Sequence, residues 1–72
     1  MTEIEYRELF CEQLRKWLKK RNTTGYVLAE ATGIKNSNAY VYIGGGGIPR
    51  PAHMVKILTF LETTPAEFWG LE

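Results

Sequence analysis

The chain has no aspartate, one cysteine (Cys11) and one histidine (His53) among its 72 residues. Each shortage removes a class of chemistry. A Ser-His-Asp triad lacks its acid, and a zinc site, built from three or four clustered ligands, lacks the nitrogen and sulfur donors it favours. One cysteine closes no internal disulfide, which fits a reducing compartment. No apolar run approaches the ~20 residues needed to cross a bilayer. The start, Met1-Thr2-Glu3-Ile4-Glu5, has neither the basic stretch nor the apolar segment of a secretion signal. The expectation is a cytoplasmic protein with no membrane contact, no metal, no cofactor and no catalytic role. Glu8 and Glu12 come closest to a paired acid, but four apart on a polar stretch they read as a solvated helix face.

What is present is enough for one core. The apolar fraction is 44%, and two Trp, four Tyr and three Phe supply large side chains. The length allows one domain, residues 1–72, and disorder is not expected of this composition. Net charge is only +1, yet it is unevenly spread. Residues 1–14 set Arg7 against Glu3, Glu5, Glu8 and Glu12, a balance of −3. Residues 15–56 hold Arg15, Lys16, Lys19, Lys20, Arg21, Lys35, Arg50 and Lys56 against Glu30, a balance of +7. Glu62, Glu67 and Glu72 make the remainder −3. A basic middle between acidic ends suits a polyanion even when the total is near neutral.

Five helices follow from periodicity and punctuation, an all-α chain. Phe10, Leu14, Trp17 and Leu18 form one stripe of a helix from Glu3 to about Arg21, which Ile4, Tyr6 and Leu9 extend backwards. Thr2 caps its start, the acids of the first turn and Lys19, Lys20 and Arg21 in the last complement the dipole, and Asn22 ends it. Thr23 or Thr24 caps a second helix to about Thr32, and Gly33 closes it. The stretch from Asn36 to Ile43 reads as a third helix with Ala39, Tyr42 and Ile43 inward. Asn36, Ser37, Tyr40 and Val41 face the other way, with Asn38 between. By composition, Ala39–Ile43 favours a strand instead. Gly44–Gly47 end this element, and after Pro51 a fourth helix carries Met54, Val55, Ile57, Leu58 and Leu61. Thr64, Pro65 and Glu67 read as a capping box opening a short fifth helix with Phe68 and Trp69. His53 reads as exposed or capping, Cys11 as a small packed group, Trp17 as core and Trp69 as the core's edge.

Two helices joined by a tight turn at Gly33 make a helix-turn-helix, about residues 24–43. Thr24, Leu28-Ala29, Gly33-Ile34, Ala39, Gly45 and Pro49, then Leu61 and Thr64-Pro65-Ala66-Glu67-Phe68, keep one register from about Leu14 to Phe68. In this register the chain resembles the lambda-repressor/Cro-like (XRE) helix-turn-helix family of bacterial and phage regulators. There a Thr caps helix 2, Leu-Ala and then Gly-Val follow, and a short recognition helix leads to a Gly-rich turn and Pro. The resemblance implies a compact five-helix lambda-repressor-like domain. Four features depart from the family pattern. Gly25 stands where Gln is common, and Lys35 replaces the usual Ser or Thr cap, leaving Asn36 to serve. Ile43 stands in place of Glu, and four glycines replace a polar or basic loop.

The resemblance implies a sequence-specific regulator of double-stranded DNA, of repressor type and acting as a homodimer. Short polar side chains on a groove-entering helix read base edges, so Asn36, Ser37, Asn38 and Tyr40 are the expected base contacts, with Val41 against a thymine methyl. Phosphates take backbone N–H groups and cations, so Thr24, Gly25, Lys35, Gly44, Gly46, Gly47 and Arg50 are the expected backbone contacts. Lys19, Lys20 and Arg21 add long-range attraction or simply a soluble helix end. Trp69 with Leu71, or Ile4 with Tyr6, would supply the dimer surface. The alternative is a protein-interaction module on the same scaffold, an antirepressor or host-factor inhibitor, in which Tyr40 and Val41 face a protein partner.

Overall fold

Three threonines start helices in the same way: extended backbone at the cap and a hydroxyl accepting the N–H three residues on. In the computed structural model, which describes residues 1–71, Thr2 opens α1 (Glu3–Lys20), Thr24 opens α2 (Gly25–Thr32) and Thr64 opens α5 (Pro65–Phe68). The reciprocal capping box forms at Thr2, where the Glu5 carboxylate also accepts the Thr2 N–H. At Thr64 half of the expected box is present. The hydroxyl accepts from the Glu67 N–H and itself donates to the Glu67 carboxylate. α3 (Asn36–Ile43) and α4 (Pro51–Phe60) start without a side-chain cap. Asn36 is therefore not the cap expected of it: Lys35 holds that place, and Asn36 is already the first helical residue.

Ala39–Ile43 is helical despite its β propensity, because Ala39 and Tyr42 are buried one helical turn apart on the inner face. Gly33, at φ 75°, ends α2 and aims the chain into α3. The ends of α1, α3 and α4 share one geometry. A residue in the left-handed region (Asn22, Gly45, Glu62) turns the chain, and the next N–H reaches back to Leu18, Val41 or Leu58. Arg15 of α1 and Arg21, the residue that caps it, reach across the molecule to two of these ends. Arg15 Nε donates to the Ile43 carbonyl at 2.9 Å, and Arg21 donates to the carbonyls of Leu61 and Glu62 at 2.8 and 3.2 Å. Each sets a cation at the negative end of a helix.

α2 packs against α3 and α4, and α1 lies across α3. Phe10, Leu14, Leu28, Ala39, Ile57, Leu61 and Phe68 are fully enclosed. Trp17 is buried as expected, its indole N–H donating to the Phe68 carbonyl at 3.2 Å and the Lys20 ammonium 4.4 Å from its ring centre. The Cα radius of gyration, 11.1 Å, equals the ~11 Å of a tightly packed chain this long. Ile4, at 64% exposed, Tyr6 and Leu9 do not extend the apolar stripe. Tyr6 meets Trp69, the residue that ends α5, with ring centres 5.4 Å apart. Val55 likewise turns outward on α4.

Among the described residues no helix is long and apolar enough to cross a membrane, and no three His, Cys, Asp or Glu side chains cluster as metal ligands.

Candidate nucleic-acid interface

The α2–turn–α3 unit presents one continuous surface. Ala39 and Tyr42 fix the inner face of α3, and at 100° per residue this places Ser37 and Val41 on the outermost ridge. All five expected base contacts, Asn36, Ser37, Asn38, Tyr40 and Val41, are exposed. Their settings differ. Asn36 lines a shallow cleft between the helices with Tyr26 and Glu30. Tyr40 leans over the start of α2, where a Cβ on Gly25 would stand 3.2 Å from its ring. Val41 is half covered, one methyl lying beneath Gly46 and Gly47.

The expected backbone contacts divide. Thr24, Lys35 and Arg50 are exposed, and neither of the two cations has an ion-pair partner among the described residues. Gly25 is not on the surface. It is buried beneath Ile43 and Tyr40, and a Cβ there would overlap the tip of Ile43. Two of the four departures from the family pattern, Gly25 and Ile43, are thus one contact between α2 and α3.

The glycine run is not a loose cradle for phosphate. Gly44 N–H donates to Tyr40, Gly45 N–H to Tyr42 and Gly46 N–H to Val41, at 2.9, 3.3 and 2.9 Å. These bonds close α3, so Gly44 and Gly46 hold no free N–H for a phosphate. Gly47 N–H has no partner among the described residues. Gly45 alone of the four takes positive φ, 80°, and a Cβ there would stand 3.3 Å from the sulfur of Cys11, whose thiol is buried and donates to the Glu8 carbonyl.

His53 is neither exposed nor a cap. It is half-buried at the start of α4, with Nδ1 2.9 Å from the Tyr42 hydroxyl. Tyr42 in turn stands edge-on to Phe10 at 6.3 Å, and Phe10 packs on Phe68 and Trp69. An aromatic chain therefore ties the underside of α3 to α1, α4 and α5. No short-range pattern in the sequence announces it.

The two candidate dimer surfaces are rearranged. Tyr6 and Trp69 meet at a tilt, ring centres 5.4 Å apart, and belong to one edge, whereas Ile4, two residues from Tyr6, falls on another side of α1. Trp69 is half-buried by Tyr6, Phe10 and Phe68, and Leu71 is 80% exposed. Of the basic run at the end of α1, Lys20 and Arg21 are engaged with Trp17 and with the end of α4.

The chain matches no family model, no curated protein and no solved structure.

Proposed function

We propose that this chain is a sequence-specific duplex-DNA-binding regulator of the lambda-repressor/Cro-like helix-turn-helix type. It is a repressor that acts as a dimer on a two-fold operator in the cytoplasm. The observation that carries this reading is the outer surface of α3. A short helix, anchored from beneath by Ala39 and Tyr42, offers Asn36, Ser37 and Asn38 beside Tyr40 and Val41 to solvent. Asn pairs bidentately with adenine, Ser bonds to several base edges, and Val packs on a thymine methyl. Thr24, Lys35 and Arg50 flank that helix and hold phosphates. Occupancy of the operator itself blocks transcription, so the protein works by binding rather than by catalysis.

Enrichment of random duplexes on the purified protein, with single-stranded DNA as competitor, tests the reading. A palindromic site is the expected product. No enrichment over the single-stranded competitor overturns it.

One observation favours a second reading, a protein-interaction module on the same scaffold. Tyr26, Val27, Tyr40 and Val41 are all roughly half exposed on the two helices, an apolar share unusual for a groove-reading surface. Salt separates the two. Duplex binding releases counterions and weakens steeply with added salt, whereas an apolar protein contact does not.

A further inference from the structure

Three of the four longer helices end against a cation. Lys19, Lys20 and Arg21 close α1, Arg15 holds the last carbonyl of α3, and Arg21 also holds the end of α4. α2 has no basic residue in its last turn and carries Glu30 there instead. An acid at that place opposes the helix dipole. The carbonyls of Glu30, Ala31 and Thr32 accept no hydrogen bond from the described residues. Glu30 is the sole acid of residues 15–56 and is exposed, yet among the described residues it pairs with no cation. Lys35, the nearest cation along the chain, does not line the cleft beside it, and Lys56 lies in a separate hollow with Ala31 and Thr32.

Glu30 shares its cleft with Tyr26, one turn back on the same face of α2, and Asn36 of α3 closes the far side. Ala29 and Ile34, both buried, make an apolar floor, and Gly33, which caps α2, leaves main chain open at one end. The Tyr26 ring is 54% exposed. An aromatic face beside a carboxylate, over an apolar floor, suits a flat and weakly hydrated cation: the ring attracts it, and the carboxylate takes two parallel N–H groups. A guanidinium has that shape and hydration, whereas an ammonium is a compact, strongly hydrated point charge.

We propose that the cleft between α2 and α3 binds an arginine side chain of a protein partner, held by the Tyr26 ring and the Glu30 carboxylate at the negative end of α2. The site goes beyond the DNA-binding reading and does not rest on it. Three of this chain's four arginines, Arg7, Arg15 and Arg21, are bonded within the chain, so the guanidinium comes from another protein.

Titration of the protein with Nα-acetyl-arginine methylamide, followed on its backbone amide resonances, tests the site without DNA. Saturable shifts confined to Tyr26 and residues 30–36 are expected, and none with the citrulline analogue, which is neutral and of the same shape. Glu30→Gln is expected to weaken arginine binding about fivefold, the loss of one exposed ion pair. The same variant, relieved of an acid at the negative end of α2, is expected to melt about 2–5 °C higher without ligand. No saturation by about 100 mM arginine analogue, or equal shifts with citrulline, overturns the site. An unchanged or lower melting temperature in Glu30→Gln overturns it too, because the fold itself would then balance the acid. Shifts of the same resonances with protein concentration alone, abolished by Arg50→Ala, would give the cleft to a second copy of this chain and overturn the separate partner. Duplex binding enters none of these readouts, so failure of the DNA-binding reading leaves the site standing, and the reverse holds as well.

Discussion

The Tyr42 hydroxyl and His53 Nδ1 are 2.9 Å apart, and this side-chain bond joins the inner face of α3 to the first turn of α4. Tyr42→Phe keeps the ring against Phe10 and leaves a half-buried imidazole nitrogen unpaired. It is expected to cost about 1 kcal/mol in urea unfolding. His53→Ala is expected to cost a similar amount. The double variant should fall short of the sum, because both changes remove one bond. Full additivity would show that the bond contributes nothing.

Gly45→Ala distinguishes a helix cap from a loose loop. At φ 80°, with Cys11 beneath it, an alanine is strained and should cost roughly 1–2 kcal/mol. Gly47→Ala lacks the positive φ, and its Cβ would sit in ordinary contact with Val41, so it should be near neutral or slightly stabilising. Thermal melts of the two variants make the comparison. Equal, small shifts would mean that the run is a flexible tether.

Gly25→Ala acts on function more than on stability. The added methyl displaces the tip of Ile43 and presses on the Tyr40 ring, both ends of side chains that have room to move. Stability should therefore change by less than about 1 kcal/mol, with the gain in helix propensity offsetting some strain. Binding to the preferred duplex should weaken, because Tyr40 shifts on the reading surface. Ile43→Val, which removes the overlapping methyl, should restore it in the double variant. Competition binding beside a melting curve reads both effects.

Trp17→Ala is expected to cost roughly 3–5 kcal/mol, since it opens a cavity and removes the bond to the Phe68 carbonyl and the seat of Lys20. Trp69→Ala should destabilise too, by a smaller amount, because its ring joins Tyr6 to Phe10 and Phe68. Equilibrium unfolding and sedimentation of both variants separate packing from self-association. A change in oligomeric state with no loss of stability in Trp69→Ala would contradict this placement.

Features set by neighbours a few residues apart are legible in the sequence. The caps at Thr2, Thr24 and Thr64, the turn at Gly33 and the inward Ala39 and Tyr42 all follow from local chemistry and a 3.6-residue period. What escapes is long-range or degenerate. Arg15 reads as one more surface cation, because its partner, the Ile43 carbonyl, lies 28 positions away and has no side-chain signature. Arg21 is hidden in the same way by a separation of 40. Among four identical glycines, nothing local tells which one turns left-handed; the packing of Cys11 and the end of α3 select Gly45. Gly25 reads as a phosphate contact at the start of α2, because the sequence does not place it beneath Ile43. The exposed face of α3 was legible, whereas the internal use of the Gly44 and Gly46 N–H groups was not.

Competition between the enriched duplex and a random duplex of equal length decides whether the outer surface of α3 reads bases. Asn36→Ala is expected to lose about 1–3 kcal/mol on the enriched site and almost nothing on random DNA. Arg50→Ala should weaken both alike and lower the salt slope by about one unit, because a phosphate contact is blind to sequence. Melting temperatures measured alongside show that each variant is folded. An unchanged preference for the enriched site in folded Asn36→Ala and Tyr40→Ala would mean that α3 is not the reader and would favour the protein-interaction reading.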